Sequence, residues 1–481
     1  MKRKVFKKGT AVASAIFMAA SLTGCGKDSS ITIPKAEISQ EKYDELSNVY
    51  DIICDDEGNP IDLGGMEIII RDWWSSGEPD ESTNDYTEAR AEYRAWIQKA
   101  YNFSIAQIAI SDWESTPSDF VEFVSSGGDG RNYLWVMRED DLTVTAMMQG
   151  MAYDLNTLDC LSFSDTKFQR NKLHEIYSIN NSIYGMYVGY SEPRTGVYFN
   201  KDVLEAAGID PESIYDMQQD GTWTWDEFDR LMGIVQRDTD GDGLDDVYGV
   251  TTNEGVMTKA AVYSNGGDFV GKDENGQFTY RLEDPETMEA LKWVVEMYDK
   301  YDDHDPEGAN WDYYKDEFLN GQVAFLVEDE YAGTPGNYLY DAEFDIGFVM
   351  FPQGPQAEKC VNCWSNNPVF IPNVYDEDTA WKIAFAYNLY TNEPAGYEDY
   401  VDLSAARAGV FDSRAVDETI TMMMQNEHGL ISYTAMMPNV NVSEFLWAVN
   451  PGTDIEGMIK EYSEAFRALV TDANSMQNAA D

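Results

Sequence analysis

Histidine, cysteine and positive charge are scarce in this chain. Its 481 residues include three histidines (His174, His304 and His428) and five cysteines, so a histidine-based catalytic centre or a zinc site has few residues to draw on. Cys360-Val361-Asn362-Cys363 is a lone CxxC without a second pair or a histidine cluster, which leaves zinc unsupported. With Cys54 and Cys160, these thiols fit either a disulfide or a reduced state. Lys and Arg number 33 against 87 Asp and Glu, a formal net charge of −54. Such a field repels phosphate backbones and anionic headgroups and argues against nucleic acid as a partner. It also serves simply to keep an exported protein soluble. No glycine-rich phosphate loop or nucleophile motif stands out. Apart from one N-terminal run, no apolar stretch approaches the length that crosses a bilayer.

That N-terminal run has its own logic. Lys2, Arg3, Lys4, Lys7 and Lys8 precede an apolar stretch over residues 11–22, which Leu22-Thr23-Gly24-Cys25 closes. Positive residues, a short apolar segment and small residues before a cysteine form a lipoprotein signal peptide, with cleavage before Cys25 and lipid attached to it. An uncleaved anchor is the alternative. Cleavage removes five of the 33 cations and no acid, leaving 28 against 87 and a net charge of −59. The remaining chain is too long for one core and predicts two lobes. The 43% apolar and 13% aromatic fractions exclude disorder for most of it.

Three signals follow one another over residues 198–249. Tyr198-Phe199-Asn200-Lys201-Asp202 reads as a strand end running into a short helix capped by Asn200, with Gly208 at its stop. In Gly221-Thr222-Trp223-Thr224-Trp225-Asp226-Glu227-Phe228, Thr224 and Glu227 have capping-box spacing and Trp223 and Phe228 staple spacing. A helix starts there, with Phe228, Leu231, Met232 and Val235 on its buried face, so Trp223 and Trp225 are assigned to structure. Next, Asp238-Thr239-Asp240-Gly241-Asp242-Gly243-Leu244-Asp245-Asp246 sets carboxylates at loop positions 1, 3, 5 and 9 and glycine at 6, the spacing of a calcium loop. Position 12 is Gly249 rather than glutamate. The expected ligands of a structural Ca2+ are Asp238, Asp240, Asp242, the Leu244 carbonyl and Asp246; a solvated acidic turn without an ion is the alternative.

This succession resembles the extracellular solute-binding proteins of the maltose-binding-protein class, which serve ABC importers. Tyr263-Ser264-Asn265-Gly266-Gly267-Asp268, Phe318-Leu319-Asn320-Gly321-Gln322-Val323-Ala324-Phe325 and Phe351-Pro352-Gln353-Gly354-Pro355 match further family motifs in the family's order. The resemblance covers roughly residues 64–470. It implies an α/β, two-lobed, type II periplasmic-binding-protein-like fold with a hinge and a ligand cleft between the lobes. The implied division is 1–24 signal peptide, 25–60 lipidated Cys25 and tether, 61–192 first lobe, and 193–345 second lobe. Residues 346–400 then return to the first lobe and 401–470 to the second, leaving 471–481 as a frayed tail.

Strand ends supply the site candidates, because open α/β sheets bind ligands just beyond the carboxyl ends of their strands. Met66-Glu67-Ile68-Ile69-Ile70-Arg71 is a buried strand that delivers Asp72, Trp73 and Trp74, one of the two indoles being expected to pack structurally. Tyr190 and Glu192 lie where the resemblance places the exit from the first lobe, with residues 191–194 at the hinge or cleft floor. Glu328, Asp329 and Tyr331 end the strand that starts at Val323, and Trp364 and Trp447 sit where the resemblance implies further aromatic contacts. A sugar presents hydroxyl pairs and C–H faces, which suit carboxylates and indoles; the chain has 12 tryptophans and 30 tyrosines. The expected function is therefore a monomeric, lipid-anchored receptor on the outer face of the membrane, which binds an oligosaccharide and delivers it to a permease without catalysis or an organic cofactor. A surface glycoside hydrolase using two carboxylates, or the same fold carrying a peptide or another polar solute, are the alternatives.

Overall fold

The computed structural model describes residues 31–75, 84–139, 141–302, 306, 308–364, 367–437 and 442–479, of which those from Ile33 onward form one unit. The signal peptide and Cys25, like Ser76, Gly77 and His304, lie outside the described residues.

In chain order the principal strands are β1 (Met66–Asp72), β2 (Phe103–Ala109), β3 (Asn132–Val136), β4 (Thr195–Asn200), β5 (Tyr248–Thr252), β6 (Val323–Asp329), β7 (Ile346–Met350) and β8 (Val369–Phe370). They make two four-stranded sheets, ordered β8-β3-β1-β2 and β7-β4-β6-β5. In the first sheet β1 runs parallel to both β2 and β3, and β8 closes the edge antiparallel to β3. In the second, β4 is antiparallel to both neighbours while β6 and β5 are parallel. The buried apolar run Ile68, Ile69 and Ile70 gives β1 its central place, as expected of a parallel strand covered on both faces.

Helices fill the layers around the sheets. The helix Asp85–Ala100 buries Tyr93, Trp96 and Ile97 against the first sheet, and the helix Glu377–Tyr390 adds Ile383, Ala384 and Phe385 to the same core. In the second half the helix Trp225–Val235 starts as its sequence predicts. The Thr224 side chain caps it, accepting from the Glu227 amide at 3.4 Å, and Phe228, Leu231, Met232 and Val235 are buried. Trp223 packs edge-on to Phe228 with ring centroids 5.5 Å apart, closing the staple. Trp225 stacks on Trp293 at 4.2 Å. The helix Lys201–Ala206 is capped by Asn200, whose side chain accepts from the Val203 amide at 3.2 Å.

Three boundaries differ from the sequence reading. Residues 33–60 are not a free tether: the helix Gln40–Leu46 lies on the first core, Tyr50 packs on Tyr93 and Trp96, and the Trp96 indole donates to Ser47 at 3.0 Å. Ile346–Met350 is the edge strand of the second sheet, so the return to the first comes later, between Phe351 and Val369. Its five consecutive buried residues fit either sheet, which is why periodicity alone did not assign it. Residues 471–479 are the end of the helix Ile455–Ala479, not a frayed tail. Ala473 and Gln477 are buried, and the Asn180 side chain of the first half donates to the Gln477 carbonyl at 3.0 Å.

Candidate functional site

The chain first passes between the sheets at residues 191–194. Glu192 and Arg194 form an ion pair of 2.7 Å there, and the Tyr187 hydroxyl donates to Glu192 at 3.1 Å. The return segment runs alongside. Buried Asn362 accepts from the Arg194 amide at 3.1 Å and donates to the Met423 carbonyl at 3.2 Å. Two cavities lie on either side of this pair. One, of about 270 Å3, opens at the ends of β1 and β3 and is lined by Trp74, Arg94, Gln107, Glu192, Tyr390 and Glu393 among others. The other, of about 240 Å3, opens at the second sheet, with Arg194, Asn253, Lys259, Tyr263, Asp329 and Trp447 in its wall.

Strand register explains the second cavity. Asp329 pairs with Thr195 across the antiparallel β6 and β4, and the Thr195 hydroxyl donates to the Asp329 carboxylate at 2.7 Å. On the other side Val327 is in register with Thr252, which brings Asn253 and the helix that follows it, Glu254–Ser264, to the same edge. Cys363 of the CxxC also lines this cavity. Burial pushes the Cys360 and Cys363 thiols up to about 12, so neither is a ready nucleophile.

The sequence-derived candidates divide by what their polar atoms already do. Trp74 is 56% exposed and lines the first cavity, whereas Trp73 packs against the core, so one indole of the pair is structural. Glu192 and Asp329 line the first and second cavities, and Trp447, 39% exposed, stands at the second with exposed Trp311 at 6.5 Å. Tyr331, two residues after Asp329, is exposed. Tyr190 lies under the Arg170 guanidinium at 4.5 Å and borders neither cavity.

Asp72, Glu328 and Trp364 are turned inward. Asp72 is fully buried; it accepts from the Trp74 and Ser75 amides, the Ser75 hydroxyl and Gln107, an arrangement that shapes the turn after β1. Glu328 is buried beneath Tyr338, whose hydroxyl donates to it at 3.4 Å. Trp364 lies flat on bare backbone: a Cβ at Gly429 would come within 1.9 Å of its ring. A strand-end position predicts where a residue sits but not which way its side chain goes, and these three are where that distinction fails. Asn253, Lys259 and Arg94 also line the cavities, and a search for indoles and carboxylates passes over them, while Arg194 is placed from sequence only as part of the 191–194 crossing. The signal for Lys259 was an Asn-x-Gly-x-x-x-Lys helix start at the end of β5.

Burial raises three carboxyls here and nearby. Desolvation, with Asp329 adjacent, pushes Glu328 up to about 7, and desolvation with Glu192 nearby does the same to Glu330. Asp268, held by the Phe269 amide and the Ser432 hydroxyl, is also pushed up to about 7 by burial.

In the acidic loop, Asp238, Asp240 and Asp246 bring carboxylate oxygens within 4.8 Å of one another, a spacing a cation can bridge. Asp242 is not in that group: it accepts from the Leu244 amide at 2.8 Å, and Leu244 is 71% exposed. Loop amides and the Thr239 hydroxyl donate to Asp238 and Asp246 and hold both below the usual carboxylate range. The three carboxylates are spaced so that they could hold a cation.

With this geometry the comparisons with known proteins agree. Residues 166–388 match the family model described as bacterial extracellular solute-binding protein. The central segment is therefore similar to that family, and solved structures of solute-binding proteins share the fold of the chain. UgpB of Mycobacterium tuberculosis in complex with glycerophosphocholine superposes at a TM-score of 0.56 with 19% identity, covering 85% of this chain and 99% of that one. A sugar transporter protein of Rhizobium etli in an open conformation gives 0.57 and 14%, over 84% and 100%. The cyclic alpha-maltosyl-1,6-maltose binding protein of Arthrobacter globiformis gives 0.54 and 17%, over 86% and 99%. No curated protein sequence matches. The chain has the two-lobed type II fold of these neighbours, and no described helix is long and apolar enough to cross a membrane.

Proposed function

We propose that this solute-binding protein is a lipid-anchored extracellular receptor that encloses an oligosaccharide between its lobes and hands it to the permease of an ABC importer. The observation that carries the reading is the pair of cavities flanking Glu192–Arg194, each with a partly exposed tryptophan in its wall. A sugar that touches both lobes favours their closed arrangement by the free energy of the contacts made only there. Carboxylates at Glu192 and Asp329 suit hydroxyl pairs, and Trp74 and Trp447 suit the C–H faces between them.

A thermal-shift screen against oligosaccharides tests this, because a ligand of the folded state raises Tm by mass action. At least one sugar is expected to raise Tm and to reduce the radius of gyration in solution scattering. Trp74→Ala and Trp447→Ala are each expected to weaken it by about ten- to a hundredfold, the equivalent of ~1.5–3 kcal/mol of aromatic burial. A panel with no stabilising sugar and an unchanged scattering profile refutes the reading. The protein is expected to return the sugar intact, so chromatography that finds shorter products establishes the hydrolase alternative instead. Anchoring is tested by Cys25→Ala, which should release the protein from the membrane fraction.

Calcium belongs to the same proposal as a structural ion away from the cavities, held by Asp238, Asp240 and Asp246. Adding Ca2+ to chelator-treated protein is expected to raise Tm, and Asp238→Asn to abolish the rise. Identical melting curves with and without the ion rule out the assignment.

A further inference from the structure

The helix Glu254–Ser264 begins where β5 ends, and its first turn faces the cavity that Arg194 lines. Asn253 occupies the N-cap position, yet its side chain accepts no capping hydrogen bond from that turn. Gly255 gives the cavity bare backbone; a Cβ there would lie 3.3 Å from the Trp447 indole nitrogen, so the glycine lets the ring close over the helix start. Four residues on, along the same helix face, Lys259 lines the same cavity. Its ammonium makes no hydrogen bond or ion pair among the described residues. Burial works against its charge, but Glu139 and Asp329 outweigh it and keep the lysine protonated. Arg194 contributes a second cation, shared with Glu192. The chain carries 33 cationic residues against 87 acidic ones, so two cations and an uncapped helix N-terminus around one cavity run against its overall composition. Asp329 is the carboxylate described in that wall.

We propose that this cavity takes the anionic group of the solute, a carboxylate or phosphate ester, so that the natural ligand is an acidic rather than a neutral sugar. The Lys259 ammonium feels Glu139 and Asp329 but makes no hydrogen bond or ion pair to them, and beside it the Gly255 amide opens the helix start, donors of the kind that bind oxyanions there. The Trp447 ring lies against the sugar body, and Asp329 accepts from a hydroxyl. The inference rests on the cleft being the solute site.

Calorimetry on the full mature chain tests it, using matched pairs of uronic-acid and neutral oligosaccharides in the galacto, gluco and manno series, and the corresponding hexose phosphates. At least one acidic member is expected to bind ten times more tightly than its neutral partner, and more weakly as salt rises. Lys259→Met is expected to cut that advantage below threefold, while Lys259→Arg keeps it. A preference for uronates identifies a carboxylate, and a preference for hexose phosphates a phosphate ester. Neutral sugars that bind as tightly as their acidic partners, or a preference that survives Lys259→Met, overturn the inference and leave the sugar-receptor reading standing. Failure of every sugar, acidic or neutral, overturns both.

Discussion

Trp223→Ala is expected to lower the unfolding free energy of the second lobe by about 3–5 kcal/mol, the range for emptying a fully enclosed aromatic site. Trp223 has no exposed surface, packs against Phe228 and Phe325, and donates from its indole nitrogen to the Met350 carbonyl at 2.8 Å. The substitution therefore removes packing and leaves the carbonyl of an edge-strand residue without its donor. Trp223→Phe keeps part of the ring and should recover roughly half of the loss. Urea unfolding followed by fluorescence and far-ultraviolet circular dichroism reads the effect. A change below about 1 kcal/mol would mean that the staple and the edge strand are held by something other than this indole.

The second large effect concerns pH. Glu328 and Asp268 are buried and held to about 7, above the usual 4.5 and 3.8. A carboxyl raised on folding binds a proton in the native state that the unfolded chain has lost. Its contribution is thus fully present below about pH 4, and it disappears as pH rises through 7. Each group is expected to withdraw on the order of 3 kcal/mol between pH 4 and 8. Glu328→Gln and Asp268→Asn remove the proton exchange, so each variant should gain on the parent protein as pH rises from 5 to 8. Parallel stability curves for parent and variant across that range would show that the carboxyl is ionised throughout.

Much of the fold could be read from local chemistry. Thr224, Trp223 and Phe228 announce a helix start through groups only a few residues apart, and the cap and staple form as spaced. The β1 strand was equally plain, because Ile68, Ile69 and Ile70 are apolar without alternation and a turn follows at once. Ile346–Met350 was harder. A short buried strand carries no mark of which sheet it joins, and its partner Thr195–Asn200 is about 150 residues away. The site shows the same divide. Strand ends point to Trp74 and Asp329, and the family resemblance to Glu192 and Trp447, all of which border the cavities. It did not show that the turn after β1 consumes both oxygens of Asp72, or that Gly429 admits the Trp364 ring, because both depend on neighbours distant in the chain or on side-chain direction. An isolated lysine on a helix ordinarily faces water, so the residue type alone does not mark the place of Lys259 in the cavity wall.

The helix that ends at Ala479 has a mechanical consequence. It lies on the second lobe beside the strand Phe278–Tyr280, where the Asn474 side chain donates to the Phe278 carbonyl at 2.9 Å, while near its tip Gln477 accepts from Asn180 of the first. A rigid rod fixed to one body and touching the other away from the crossing strands acts as an outrigger. Such an arm is expected to restrain swing on its own flank more than on the opposite one. On the proposed function, shortening the chain before Asn474 is expected to let the empty protein sample wider angles, raising the entropic cost of closing on a ligand and weakening its binding while leaving the residues that line the cavities in place.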